Sequence, residues 1–173
     1  MACDINAGRL KACKQNLGGV GRLFLFNYVP DPFTVASGVA TAINPDLTEV
    51  FEYEIEGDGN NVAENMVSDR NTGTTVNTQT ITIALKKIDA TTSAQLNLLA
   101  YGFPMAVVKD RNGIYHALGI DDGIDFTVAQ NTGGAKTEMN GYILTGVATT
   151  GSLSPKLDGA TKSAFLALLP LLP

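Results

Sequence analysis

The stretch TTVNTQTITIALKK, residues 74–87, decides the fold class. Gln79, Ile81, Ile83 and Leu85 alternate with Thr80, Thr82 and Ala84. A period of two puts the two sets on opposite sides of an extended chain, so the stretch reads as a long strand. The same period appears just upstream, at residues 49–56. There Phe51, Tyr53 and Ile55 point one way, and Glu52, Glu54 and Glu56 point the other. This is an amphipathic strand carrying an acidic stripe. Between the two lies GDGNNVAENMVSDRNTG, residues 57–73, polar and the least patterned part of the chain. The expectation is a long hairpin of 49–56 with 74–87, with 57–73 as its extended, mobile tip; so long a loop is uncommon in a compact domain unless it has a function.

Working outward, Leu23–Val29 (LFLFNYV) reads as a strand that Pro30-Asp31-Pro32 ends, because proline cannot donate to a ladder. Ahead of it, residues 1–22 form a basic, turn-rich arm, with Arg9, Lys11, Lys14 and Arg22 against Asp4. Residues 33–45 are weakly patterned and hold one short strand. Thr91–Tyr101 (TTSAQLNLLAY) is the helix candidate, capped by Thr91, Thr92 or Ser93, with Leu96, Leu99 and Ala100 as its apolar stripe. Gly102 and Pro104 stop it. Met105–Val108 and Ile114–Leu118 flank Asn112-Gly113, a strong hairpin signal because both turn residues tolerate positive φ. Asp121-Asp122-Gly123 turns into a strand over Ile124–Val128, and Asn140-Gly141 opens a last strand, Tyr142–Val147. A Thr/Gly/Ser linker, 148–157, leads to an apolar tail, 158–173, whose helical turns begin at Asp158. About seven or eight strands with one flanking helix make the fold mainly β, a β-sandwich or barrel with a long hairpin and extended terminal arms. Residues 1–157 form the β domain and 158–173 the tail.

Composition narrows the function. Of 173 residues only 17% are charged, against 45% hydrophobic and 18 glycines. Such a chain suits turn-rich β structure whose surface is covered by something other than water, as in an assembly. The net charge is −5, which argues against wrapping nucleic acid, since that needs a basic face. No segment approaches the roughly 18 apolar residues of a membrane span, and no signal peptide is evident at the start. The expectation is a chain made and kept in a cytosol, with no membrane partner. Cys3 and Cys13 form no C-x-x-C and have no second pair or His cluster for zinc. Two unpaired thiols suit that compartment; a disulfide would require an oxidising one.

Catalytic and cofactor signals are sparse. His116 is the one histidine, and no motif sets a Ser or Cys beside it. Gly18-Gly19-Val20-Gly21 precedes a strand, whereas a phosphate-binding glycine loop follows a strand and opens a helix. Asp121, Asp122 and Asp125 lack the oxygen ladder of a calcium loop. Glu52, Glu54 and Glu56 stand roughly 7 Å apart as same-face strand neighbours, a separation glycosidases also use. With no tryptophan in the chain and no evident sugar-stacking aromatics nearby, the stripe reads as a solvated face or an acidic wall. No enzyme activity, cofactor or metal is expected. The apolar tail Phe165, Leu166, Leu168, Leu169, Leu171 and Leu172 is too short to be stable alone as a helix, so it docks on its own domain or on a neighbouring subunit.

Several phrases carry a resemblance. They are VFEYEI at 50–55, NTGTTVNTQTITIALKKID at 71–89, TSAQLNLLAYG running into MAVVKDRNGIYHALG, and GIDFTVAQNTGGAKTEMNGYILTGVA before the end. With the opening CDINAGRLKACKQNLGGVGRLFLFNYV, they resemble the tail-tube-like structural proteins of phages, particularly those of Bacteroidetes hosts. The resemblance implies packed sheets with a flanking helix, and a homo-oligomer. In that family six copies form a ring and rings stack, with loops and terminal arms reaching into the next ring and DNA passing through the lumen without specific binding. It implies a virion tail as the location, host cytoplasm during assembly, and other virion proteins as partners. On this reading Glu52, Glu54 and Glu56 form a lumen-facing acidic stripe, and the apolar tail is a subunit contact. The tail departs from a plain tube subunit and leaves a capsid-auxiliary or neck (connector-ring) protein on the same fold as the alternative.

Overall fold

The computed structural model describes residues 5, 7–11 and 14–170. Among them the chain order is β1 (Val20–Phe26), β2 (Phe33–Ala36), β3 (Val39–Ile43), β4 (Phe51–Glu54), β5 (Asn61–Asp69), β6 (Thr74–Lys86), α1 (Ala90–Tyr101), β7 (Met105–Asp110), β8 (Tyr115–Leu118), β9 (Asp125–Asn131), β10 (Gly141–Thr150), β11 (Lys156–Leu157) and α2 (Gly159–Leu166). The fold is mainly β, as expected. A seven-stranded sheet runs β2-β3-β11-β8-β7-β1-β4, and a four-stranded sheet runs β5-β6-β10-β9. Every pairing is antiparallel except β11 with β3.

The larger sheet is apolar on both faces at its centre. Leu23 and Leu25 of β1 pack with Ile81, Ile83 and Leu144 of the smaller sheet. Phe24 and Phe26, pointing the other way, pack with Val107, Phe33 and Phe165. A strand covered on both faces has no polar side to show, so LFLF and MAVV read as unbroken apolar runs. Two cores thus flank one sheet, with the smaller sheet over one face and α2 over part of the other.

α1 begins at Asp89, whose Oδ1 accepts from the Thr92 N–H at 2.8 Å. The cap is therefore one of the best N-cap residues, just before the expected Thr91, Thr92 or Ser93. Leu96 is buried against the inter-sheet core and Leu99 packs at its margin, while the Gly102 N–H bonds back to the Leu98 carbonyl at 3.2 Å. Asp158 caps α2 in the expected way, accepting from the Thr161 N–H at 2.7 Å.

Three expectations are corrected. Residues 57–73 are not an extended loop: Asn61–Asp69 is a nine-residue strand paired with β6 from Asn61↔Thr82 to Asp69↔Thr74. The long hairpin is therefore β5–β6, and residues 49–56 contribute β4 to the other sheet, paired with β1. The alternation that marks β5 was hard to see because its inward side carries Glu64 opposite Gln79, in place of two apolar residues. Secondly, the linker 148–157 is half strand, since β10 runs to Thr150 and β11 inserts between β3 and β8. Thirdly, the tail docks on its own domain. Phe165 is fully buried and meets Phe24 edge-on at 5.8 Å between ring centres, so it is no subunit contact; Leu166, Leu168 and Leu169 pack against the same core. Leu171 and Leu172 lie outside the described residues, as do Cys3 and Cys13.

Candidate assembly surfaces and a polar cleft

The outward face of the four-stranded sheet is almost free of charge. Register sets Thr78, Thr80 and Thr82 of β6 beside Thr149, Val147 and Thr145 of β10. β9 adds Thr127 and Ala129, and β5 adds Asn61, Ala63 and Asn65. Charged residues on this face, Asp69, Asp125 and Lys86, sit only at strand ends. Threonine hydroxyls hold water by donating and accepting, and they offer a phosphate no counter-charge. Among the described residues both borders of the sheet are open: β5 is unpaired along one side for nine residues and β9 along one side for seven. Open edges of this length are templates for pairing with another chain.

The hairpin projects beyond its neighbours. β10 pairs with β6 only as far as Asn77, so residues 67–76 form a two-stranded ribbon. Val67 and Val76 face each other across it and both are exposed. The ribbon's base is fixed by a polar network. The Glu64 carboxylate accepts from Asn77 Nδ2 at 2.9 Å, Gln79 Nε2 at 3.3 Å, the Ser154 N–H at 2.8 Å and Ser154 Oγ at 2.5 Å. Burial pushes the Glu64 carboxyl up, but the Ser154 and Asn77 hydrogen bonds and the Lys156 charge outweigh it and hold the group below its usual value.

Glu52, Glu54 and Glu56 do not form a continuous acidic stripe. Glu52 is ion-paired with Arg22, and Glu56 lies 3.7 Å from Lys86. Glu54 is exposed at the border of the seven-stranded sheet. On the opposite side of β4, Phe51 and Tyr53 line a groove of about 480 Å³ whose far wall is Leu98, Leu99 and Phe103, from α1 and the turn after it. Tyr28, Phe51, Leu98 and Phe103, which line it, are exposed, and Tyr101 on the same helix as Leu98 is 87% exposed. An apolar cluster of this kind marks a contact surface. The helix pattern had pointed only to Leu96, Leu99 and Ala100; Leu98, Tyr101 and Phe103 gave the signal that was missed, large apolar residues off the buried stripe.

His116 stands at a second, polar cleft of about 330 Å³, bounded by Leu17, Gly19, Val62, Glu64 and Asp110 among others. Its Nε2 lies 3.3 Å from Asp110 Oδ2. Asp110 is mainly a turn-former: its Oδ1 accepts the Asn112 N–H at 2.9 Å and the Ile114 N–H at 2.8 Å. Burial raises the Asp110 carboxyl, and these N–H groups together with His116 more than offset it. None of the described lining residues is a Ser, Thr or Cys, so His116 has no nucleophile to activate there. No group of three or more His, Cys, Asp or Glu placed to hold a metal ion occurs among the described residues. None of their helices is long and apolar enough to cross a membrane. Gly18 and Gly19 lead into β1, with Gly19 at φ 98°, and Val20 and Gly21 already belong to the strand.

What the geometry defines is a two-sheet β protein with open sheet borders, a neutral sheet face and an apolar groove. No known family model matches the chain, and neither a curated protein nor a solved structure does.

Proposed function

We propose that the chain is a structural subunit of a phage particle, of the tail-tube kind, that closes into rings and stacks them into a conduit for DNA. One observation carries the proposal: the four-stranded sheet combines two open borders with a Thr-rich outer face that holds charge only at its ends. Border-to-border pairing of β5 with β9 of the next copy would continue the sheet around a ring, the heterologous contact that closed rings require. The neutral face would then line the lumen, where a phosphate backbone meets hydration but no cations to grip it. This moves the proposed wall from Glu52 and Glu54, on a strand of the other sheet, and Glu56 just after it, to the threonines of β6 and β10.

The test is the mass of the purified chain in solution together with electron microscopy of the same sample. Rings or stacked tubes are expected, and a chain that stays monomeric at high concentration would overturn the proposal. Rings that never stack, and that join purified capsids instead, would favour the neck or capsid-auxiliary reading.

A further inference from the structure

The groove beside α1 ends at an unpaired strand. β4 is the last strand of the seven-stranded sheet, so one side of its backbone has no strand partner among the described residues. Its sequence, Phe51-Glu52-Tyr53-Glu54, alternates apolar and acidic. Phe51 and Tyr53 share a face with Leu25 and Leu23, and Glu52 and Glu54 share the opposite face with Phe24 and Arg22. A strand added to this border would need an apolar residue toward the groove and basic residues on either side of it.

The arm before β1 supplies that pattern. Arg9, Leu10 and Lys11 run basic, apolar, basic, and Leu10 is 93% exposed. Ile5 and Leu17 are exposed as well. No acid occurs between Ile5 and Gly18, whereas β4 and its flanks carry Glu49, Glu52, Glu54 and Glu56. The arm is led away from its own β4. Asn112, in the β7–β8 turn, clasps Leu17 in both directions: the Leu17 N–H donates to Oδ1 at 2.9 Å and Nδ2 donates to the Leu17 carbonyl at 2.9 Å. β7 flanks β1 on the side opposite β4.

We infer that residues Arg9–Lys11 of a second copy add as a strand to the free border of β4, seating Leu10 in the groove near Phe51 and Tyr53 and setting Arg9 and Lys11 against Glu52 and Glu54. Main-chain hydrogen bonds supply affinity in this mode of recognition, and the alternating side chains set the register. Glu52 already holds Arg22, so Glu54 is the principal acid for the incoming arm. The inference deepens the reading of the chain as a self-assembling subunit by naming a contact separate from the β5 and β9 borders.

Cysteine pairing between differently tagged copies tests it. In a Cys3→Ser, Cys13→Ser background, one copy carries Leu10→Cys and the other Phe51→Cys; the two are mixed, oxidised and run on a non-reducing gel. A disulfide-linked pair of the two tagged chains is expected. Adding Arg9→Glu and Lys11→Glu to the first copy should lower its yield about tenfold, and Glu52→Lys with Glu54→Lys on the second should restore it. Rings that form without the mixed crosslink would overturn the arm contact and leave the ring reading standing. A crosslink that forms only within one chain carrying both cysteines would also overturn it. A mixed crosslink in chains that never close rings would uphold the arm contact and sink the ring; neither product would sink both.

Discussion

Glu64 is a carboxylate placed where strand geometry calls for an apolar residue. It faces inward from β5, and its charge is kept by donors from β6 and from the segment after β10. Its folded proton affinity is lowered, so ionisation contributes stability above the ordinary value of 4.5, and that contribution is lost as pH falls through the lower folded value. Asp110 behaves in the same way from an ordinary value of 3.8. Stability should therefore fall on acidification below about pH 4.5, where the carboxylates take up protons. Glu64→Gln should be less stable at neutral pH and show a shallower acid decline, with the share from Asp110 retained. Chemical denaturation across that pH range reads both effects. This residue was legible in the sequence only as part of a polar stretch, because its four donors come from segments up to 90 positions away.

At the scale of elements, the two helices differ in how much they are needed. α1 buries Leu96 in the inter-sheet core and turns Leu98 and Tyr101 outward. α2 places Phe165 among Phe24, Phe26 and Phe33, with ring centres 5.8 to 6.1 Å away. Phe165→Ala should cost about 3–5 kcal/mol through lost contacts and a residual cavity, a fall in Tm that calorimetry would detect. Little change would mean that α2 is not seated on the larger sheet. The helix start at Asp158 was legible because a cap is a local signal. The destination of the tail was not, since an apolar run states that something must cover it and leaves open which surface does.

For the whole molecule, the ribbon at residues 67–76 is the part that projects beyond the rest of its sheet. A two-stranded ribbon with an apolar pair where it leaves the sheet is marginal alone in water. Val67→Thr with Val76→Thr keeps β-branched side chains while removing apolar surface. If the chain forms stacked rings as proposed, the expected outcome is an unchanged monomer Tm and ring stacking weakened about tenfold or more, measured by sedimentation. Unaltered stacking would place the ribbon outside the contact between rings.

The sequence by itself determined the mainly-β class, the β7–β8 hairpin at Asn112-Gly113, the long strand at 74–86 and both helix positions. Each rests on short-range chemistry: a period of two, a turn that accepts positive φ, a cap. Only the tertiary structure decided that residues 61–69 pair with β6, that 51–54 border the other sheet, and that Phe165 closes the second core. Those outcomes depend on which backbone borders and apolar faces meet across long separations, and no local pattern carries that information.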